Sequence, residues 1–190
     1  MNSTTEQQEA GSAHVRRRSL MLESLFKPKR RASEVGREVA RIALCLGDDM
    51  LDAFSEKMAQ DADAEKATIA KEVRHVRVFG IETAIQSIAA EQSTGREVLA
   101  HFRRAIEEFC RLDDALGEGF LQDQELRDRL YEEAWADPRG VGQGTAIGVV
   151  FAELCGQKYE PLLSIPGSAL LFSHAIEYTE LLRGIRIVSG

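Results

Sequence analysis

Proline is scarce in this sequence, with four in 190 residues, and aromatic residues make up only 6%. A β-sandwich is assembled from many short strands, rich in aromatics and separated by frequent turn signals, so this composition argues against one. Cysteine is scarcer still. Cys45, Cys110 and Cys155 are far apart, odd in number and never form a CxxC pair. That excludes a disulfide framework and the usual zinc spacing, and predicts reduced, small core residues. No apolar run approaches the roughly 18–20 residues of a membrane span. A signal peptide needs an unbroken apolar stretch of about 7–15 residues after its basic start. Here Ser19, Glu23 and Ser24 interrupt it, so the expected location is cytoplasmic.

What is present is ordinary in amount and unusual in arrangement. Hydrophobic residues make up 44% and charged residues 29%, which suits one globular domain long enough to bury a core without metal or disulfide staples. The net charge of -7 is unevenly spread. Residues 15–37 hold eight basic groups against only Glu23 and Glu34, whereas residues 38–190 are strongly acidic. A basic arm is attached to an acidic body. Residues 1–14 are expected to be a disordered tail, 15–32 a basic amphipathic arm and 33–190 an all-α domain. Within the arm, Met21, Leu22, Leu25 and Phe26 share one side of a short helix over 15–27, which Pro28 stops.

Helical periodicity runs through the body. Ser33 is the expected N-cap of a helix carrying Val35, Val39, Ile42, Leu46, Met50, Phe54 and Met58, with Gly47 kinking or splitting it. A second helix is expected over about Asp63 to Ala90. Thr94 and Glu97 have capping-box spacing before a stripe of Val98, Phe102, Ala105, Phe109, Leu112 and Leu116, with Gly117 and Gly119 as its stop. Asp123 is the expected cap of a helix with Leu126, Leu130, Tyr131, Ala134 and Trp135, and Thr145 of a short apolar helix ended by Gly156. Pro161 and Pro166 bracket a brief turn, after which Ser168 caps a last helix to about Arg183. Only Ile185 to Val188 reads as a strand, without a partner. The predicted fold is therefore all-α, a single helical bundle of about six or seven helices.

Several constellations carry chemistry in principle. Asp48, Asp49 and Asp52 have DDxxD spacing, which resembles the magnesium-diphosphate motif of isoprenoid synthases over five residues. A second acidic motif is represented only by Asp113 and Asp114, and acidic residues also suit a helix start. Glu72 and His75 form the ExxH spacing of di-iron sites, but a second ExxH is lacking. The loop from Arg139 to Gly144, with Gly142 and Gly144 ahead of a helix, offers backbone N–H groups to an anion but lacks the ending of a P-loop. His174 borders an apolar stripe with Glu177 three residues on, as a base, a ligand or a satisfied core histidine. Residues 144–177 resemble the closing segment of citrate synthases over under a fifth of the chain. That family's catalytic aspartate falls near Gln143 and its histidine motifs have no counterpart, so no activity follows from the resemblance.

With no assembled catalytic set, no cofactor and no metal are expected. The leading expectation is a non-enzymatic helical adaptor or regulatory module that binds a protein partner or a second copy of itself. A small-molecule or cofactor-binding enzyme would use His174, Glu177, Arg139, Gly142 and Gly144. Binding to an anionic surface would use Arg16, Arg17, Arg18, Lys27, Lys29, Arg30 and Arg31, either on a membrane or folded back on the acidic body. The same arm is the alternative route to nucleic acid, the poorer fit of the two because the acidic body repels phosphates.

Overall fold

A computed structural model describes residues 29–44, 49–113, 116–136, 142–157 and 160–189, without the side chains of Asp49, Met50 and Glu118. Among them the chain forms seven helices: α1 (Ala32–Ala43), α2 (Asp49–Ala62), α3 (Lys66–Glu91), α4 (Ser93–Leu112), α5 (Gly117–Ala136), α6 (Gln143–Leu154) and α7 (Pro161–Gly184). The all-α bundle is as the periodicity predicts. No helix among the described residues is long and apolar enough to cross a membrane.

The long helix α3 is the axis of the bundle and touches α1, α2, α4, α5, α6 and α7. Its outer residues are polar at both ends, whereas Val76 to Ile81 are buried without a break. Two apolar clusters lie along it. One joins α1, the second half of α3, α4, Phe120 and the end of α7. The other joins α2, the first half of α3, Tyr131, α6 and the start of α7. Both α3 and α7 therefore serve two cores. Where helices approach most closely, glycine makes room. A Cβ at Gly36 in α1 would lie 2.8 Å from the Phe102 backbone nitrogen of α4, and one at Gly148 in α6 would run into the Ser164 carbonyl oxygen of α7.

Several predicted boundaries are displaced. Ser33, Thr94, Asp123, Thr145 and Ser168 are not N-caps, because each lies inside a helix that starts earlier. Packing sustains the extra residues: Ala32 and Gly95, next to Ser33 and Thr94, are buried. Gly117 and Gly119 do not end α4. They open α5, with Gly117 at φ 63°. Ser168 instead bonds the Ile165 carbonyl at 2.9 Å, and α7 runs straight through Pro166. A mid-helix proline costs a hydrogen bond, but Leu163, Gly167 and Leu171 are all buried and carry the helix past it. The split expected near Gly47 lies outside the described residues.

The segment Ile187–Val188 is not alone. It pairs in parallel with Arg30–Arg31, Arg30 opposite Ile187 and Arg31 opposite Val188. These strands, β1 and β2, were hidden because the partner strand comes from the charged end of the arm, which has no apolar alternation.

Candidate functional site: a buried polar cluster between α3 and α5

The inner face of α5 carries Phe120, Gln124, Arg127, Tyr131 and Ala134 at helical spacing, all buried. Leu126, one of the apolar residues expected in this helix, is 45% exposed. Two polar residues occupy the middle of the stripe, and a reading that assigns polar side chains to solvent rotates the helix away from them. Opposite, α3 presents Glu72, His75, Val76 and Phe79, also buried.

The polar groups on the two helices interlock. Arg127 Nε donates to both Glu72 carboxylate oxygens at 2.9 Å, and its Nη2 donates to Oε1. Asp123, one turn earlier on α5, pairs with Lys71 of α3 and lies 3.7 Å from Arg127 Nη1. Burial pushes the Glu72 carboxyl above its ordinary value, and the Arg127 guanidinium opposes that shift. Half a turn along, Gln124 Nε2 donates to Asp128 Oδ1 at 2.6 Å, so its Oε1 is the acceptor facing His75 Nδ1 at 2.7 Å. His75 Nδ1 therefore carries the proton and Nε2 bears a lone pair. The imidazole stacks on Phe120 with ring centroids 4.1 Å apart. Burial holds its pKa down at about 4, with Arg127 and Lys71 pushing the same way against the Gln124 hydrogen bond. Burial also raises Asp128 to about 6, helped by Glu82 and Glu132 and opposed by Gln124 and Arg103.

His75 Nε2 and Tyr131 Oη are buried without a hydrogen-bond partner among the described residues. A general base must come within hydrogen-bond reach of the proton it takes. His75 is fully buried, with Phe120 over its ring, so as it stands the cluster fixes the register of α5 on α3. The ExxH spacing that resembles a metal motif is real as a placement: Glu72 and His75 do share one face, with Glu72 engaged by Arg127. Among the described residues no group of three or more His, Cys, Asp or Glu side chains is placed to hold a metal ion.

The other sequence-predicted residues are dispersed. His174 is buried on α7, its ring centroid 6.0 Å from that of Tyr178, while Glu177 on the same helix is exposed. Gly142 precedes α6 with φ 83°, and Gly144 lies against the Phe172 ring. Arg139 lies outside the described residues, as do Arg16, Arg17, Arg18, Lys27, Asp48, Asp114 and Cys45. Asp52 is exposed on α2. Lys29 is exposed, and Arg30 and Arg31 form β1, with Arg30 bonded to Glu34 at 3.1 Å. Cys110 and Cys155 are buried and unpaired, and burial raises their thiols to about 11 and about 12. No known protein family, curated protein or solved structure matches this chain.

Proposed function

We propose that this chain is a non-enzymatic helical adaptor or regulatory module that binds a protein partner. The observation that carries the reading is the outer face of α7, where Leu162 is 50% exposed, Ile165 67% and Ile176 57%. Large aliphatic side chains scattered singly on a surface are normal, but a line of them on one helix is what an amphipathic partner helix covers. The buried polar residues lend support from the other side. Glu72, His75, Gln124 and Arg127 serve the contact between α3 and α5.

The test is affinity capture with the full chain against an Ile165→Asp/Ile176→Asp variant, both checked for equal helicity by circular dichroism. The expected result is one protein species recovered in stoichiometric amount by the parent chain and lost with the variant. Identical recovery by both overturns the reading.

A further inference from the structure

The outer face of α7 is apolar in its middle and acidic at both ends. At 100° per residue, Leu162, Ile165, Ala169 and Ile176 fall within about 60° of one another round the helix. All four are exposed. From Leu162 to Ile176 the stripe is about 21 Å long at 1.5 Å per residue. Glu180 continues the same line beyond Ile176 and Glu177 borders it. Both are exposed, and neither makes an ion pair among the described residues. Arg183, the next cation along the helix, is engaged by Glu91 at 2.6 Å. At the other end stands Glu160, whose carboxylate accepts from the Leu162 N–H at 3.0 Å. Pro166 has no N–H, so the Leu162 carbonyl beside Glu160 lacks the donor that a regular helix gives it. Both ends of the stripe therefore present acceptors.

The hydroxyl groups of this helix do not oppose a dry contact. Ser168 Oγ donates to the Ile165 carbonyl at 2.9 Å, Ser173 Oγ to the Leu170 carbonyl at 3.0 Å and Thr179 Oγ1 to the Ala175 carbonyl at 2.6 Å. Each is satisfied inside α7, so covering it leaves no donor unpaired. Ser173 is exposed at the border of the stripe. With Ala169 it makes a waist of two small side chains between Ile165 and Ile176, where a large side chain of a crossing helix can sit. A second copy of α7 suits the face poorly. In an antiparallel pair Glu160 of one chain meets Glu177 and Glu180 of the other, and in a parallel pair identical carboxylates meet. Like charges set against each other across a contact repel.

We infer that the partner covering α7 is a basic amphipathic helix, apolar for about 21 Å and cationic at both ends. Its apolar side chains lie on Leu162, Ile165, Ala169 and Ile176. Its lysines or arginines meet Glu177 and Glu180 at one end, and at the other they donate to Glu160 and to the Leu162 carbonyl. The acidic balance of residues 38–190 attracts such a segment from a distance, and the carboxylates at the two ends of the stripe fix where it docks. The inference rests on the adaptor reading and adds the chemistry of the partner.

The probe is a synthetic helix of about 18 residues, ~27 Å long, with leucines at helical spacing through its middle and lysines in its first and last turns. A second probe carries glutamates in place of the lysines. Binding to the full chain is measured by titration calorimetry. The lysine probe is expected to bind on the order of tenfold more tightly than the glutamate probe, and less tightly at high salt. Glu177→Lys/Glu180→Lys and, separately, Ile165→Asp/Ile176→Asp are each expected to weaken the lysine probe on the order of tenfold. Glu125→Lys/Glu133→Lys makes the same change of net charge at exposed positions of α5 and is expected to weaken it far less. Equal weakening by the α5 variant assigns the binding to overall charge and overturns the inference, as does failure of the lysine probe to bind. Tighter binding of the glutamate probe, abolished by Ile165→Asp/Ile176→Asp, overturns the basic partner while leaving α7 as the docking face. Self-association of the full chain, abolished by the same aspartates, assigns the face to a second copy and overturns the inference equally. Affinity capture reads the adaptor proposal without either probe, so the two can fail independently.

Discussion

Glu72 and Arg127 illustrate how much rests on single residues here. Removing one partner of a buried pair leaves a charge without compensation, so Arg127→Met is expected to cost about 3–5 kcal/mol in urea unfolding. The double variant Glu72→Met/Arg127→Met removes both charges and is expected to be more stable than the single one; a double variant as unstable as Arg127→Met would contradict this account. The neighbouring His75 and Asp128 make opposite contributions with pH. His75 titrates at about 4 instead of 6.5, so the unfolded chain takes a proton that the folded chain refuses. Stability is lost as pH falls from 6.5 to 4, by up to about 3 kcal/mol. Asp128 titrates at about 6 instead of 3.8, so the folded chain takes its proton first and regains stability as pH falls through 6. Over the shared window the two effects offset each other. Asp128→Asn removes only the regained part, so relative to the parent chain it should become steadily less stable between about pH 7 and about pH 4.5 in urea titrations. A constant difference would show that Asp128 is not perturbed in the fold. Little of this site is legible in the sequence. The ExxH spacing flags Glu72 and His75, but Gln124, Arg127 and Asp128 look like the solvent face of an ordinary helix until α3 is set against them.

Helices themselves are read well from period, and their ends poorly. The stripes Val35–Val39 and Val98–Phe102–Ala105 are buried as their spacing predicts. Caps fail because a polar residue before an apolar run identifies a local preference, and packing at Ala32, Gly95 and Leu163 outweighs it. Pro166 fails for the same reason. Glycine positions separate the two influences experimentally. Gly148→Ala sets a methyl against the Ser164 carbonyl between α6 and α7 and is expected to cost about 1–3 kcal/mol. Gly119→Ala meets nothing within 4 Å and is expected to gain up to about 1 kcal/mol from helix propensity alone. Melting temperatures of the two variants should therefore move in opposite directions, and a shared rise would mean that propensity, not contact, governs both sites.

At the scale of the molecule, α3 and α7 each contribute to both apolar clusters, so neither cluster can be lost alone without exposing part of the other. The single tryptophan, Trp135, packs at the second cluster, 5.4 Å from Phe172. Its fluorescence and the far-ultraviolet helix signal are expected to change together in urea, as one two-state transition. An earlier fluorescence change would mean that the two clusters unfold separately. The pairing of β1 with β2 has a further consequence, in the order of synthesis. Arg30 and Arg31 are among the first described residues made, and their hydrogen-bonding partners at Arg186 to Val188 are among the last. At about 5–20 residues per second on the ribosome, the basic strand waits roughly 8–30 seconds for its partner. During that interval α1 can find α4 and α3 can gather its neighbours, but the two ends stay unjoined. The clasp is among the last contacts the described residues can make, and it joins helices that have had time to form.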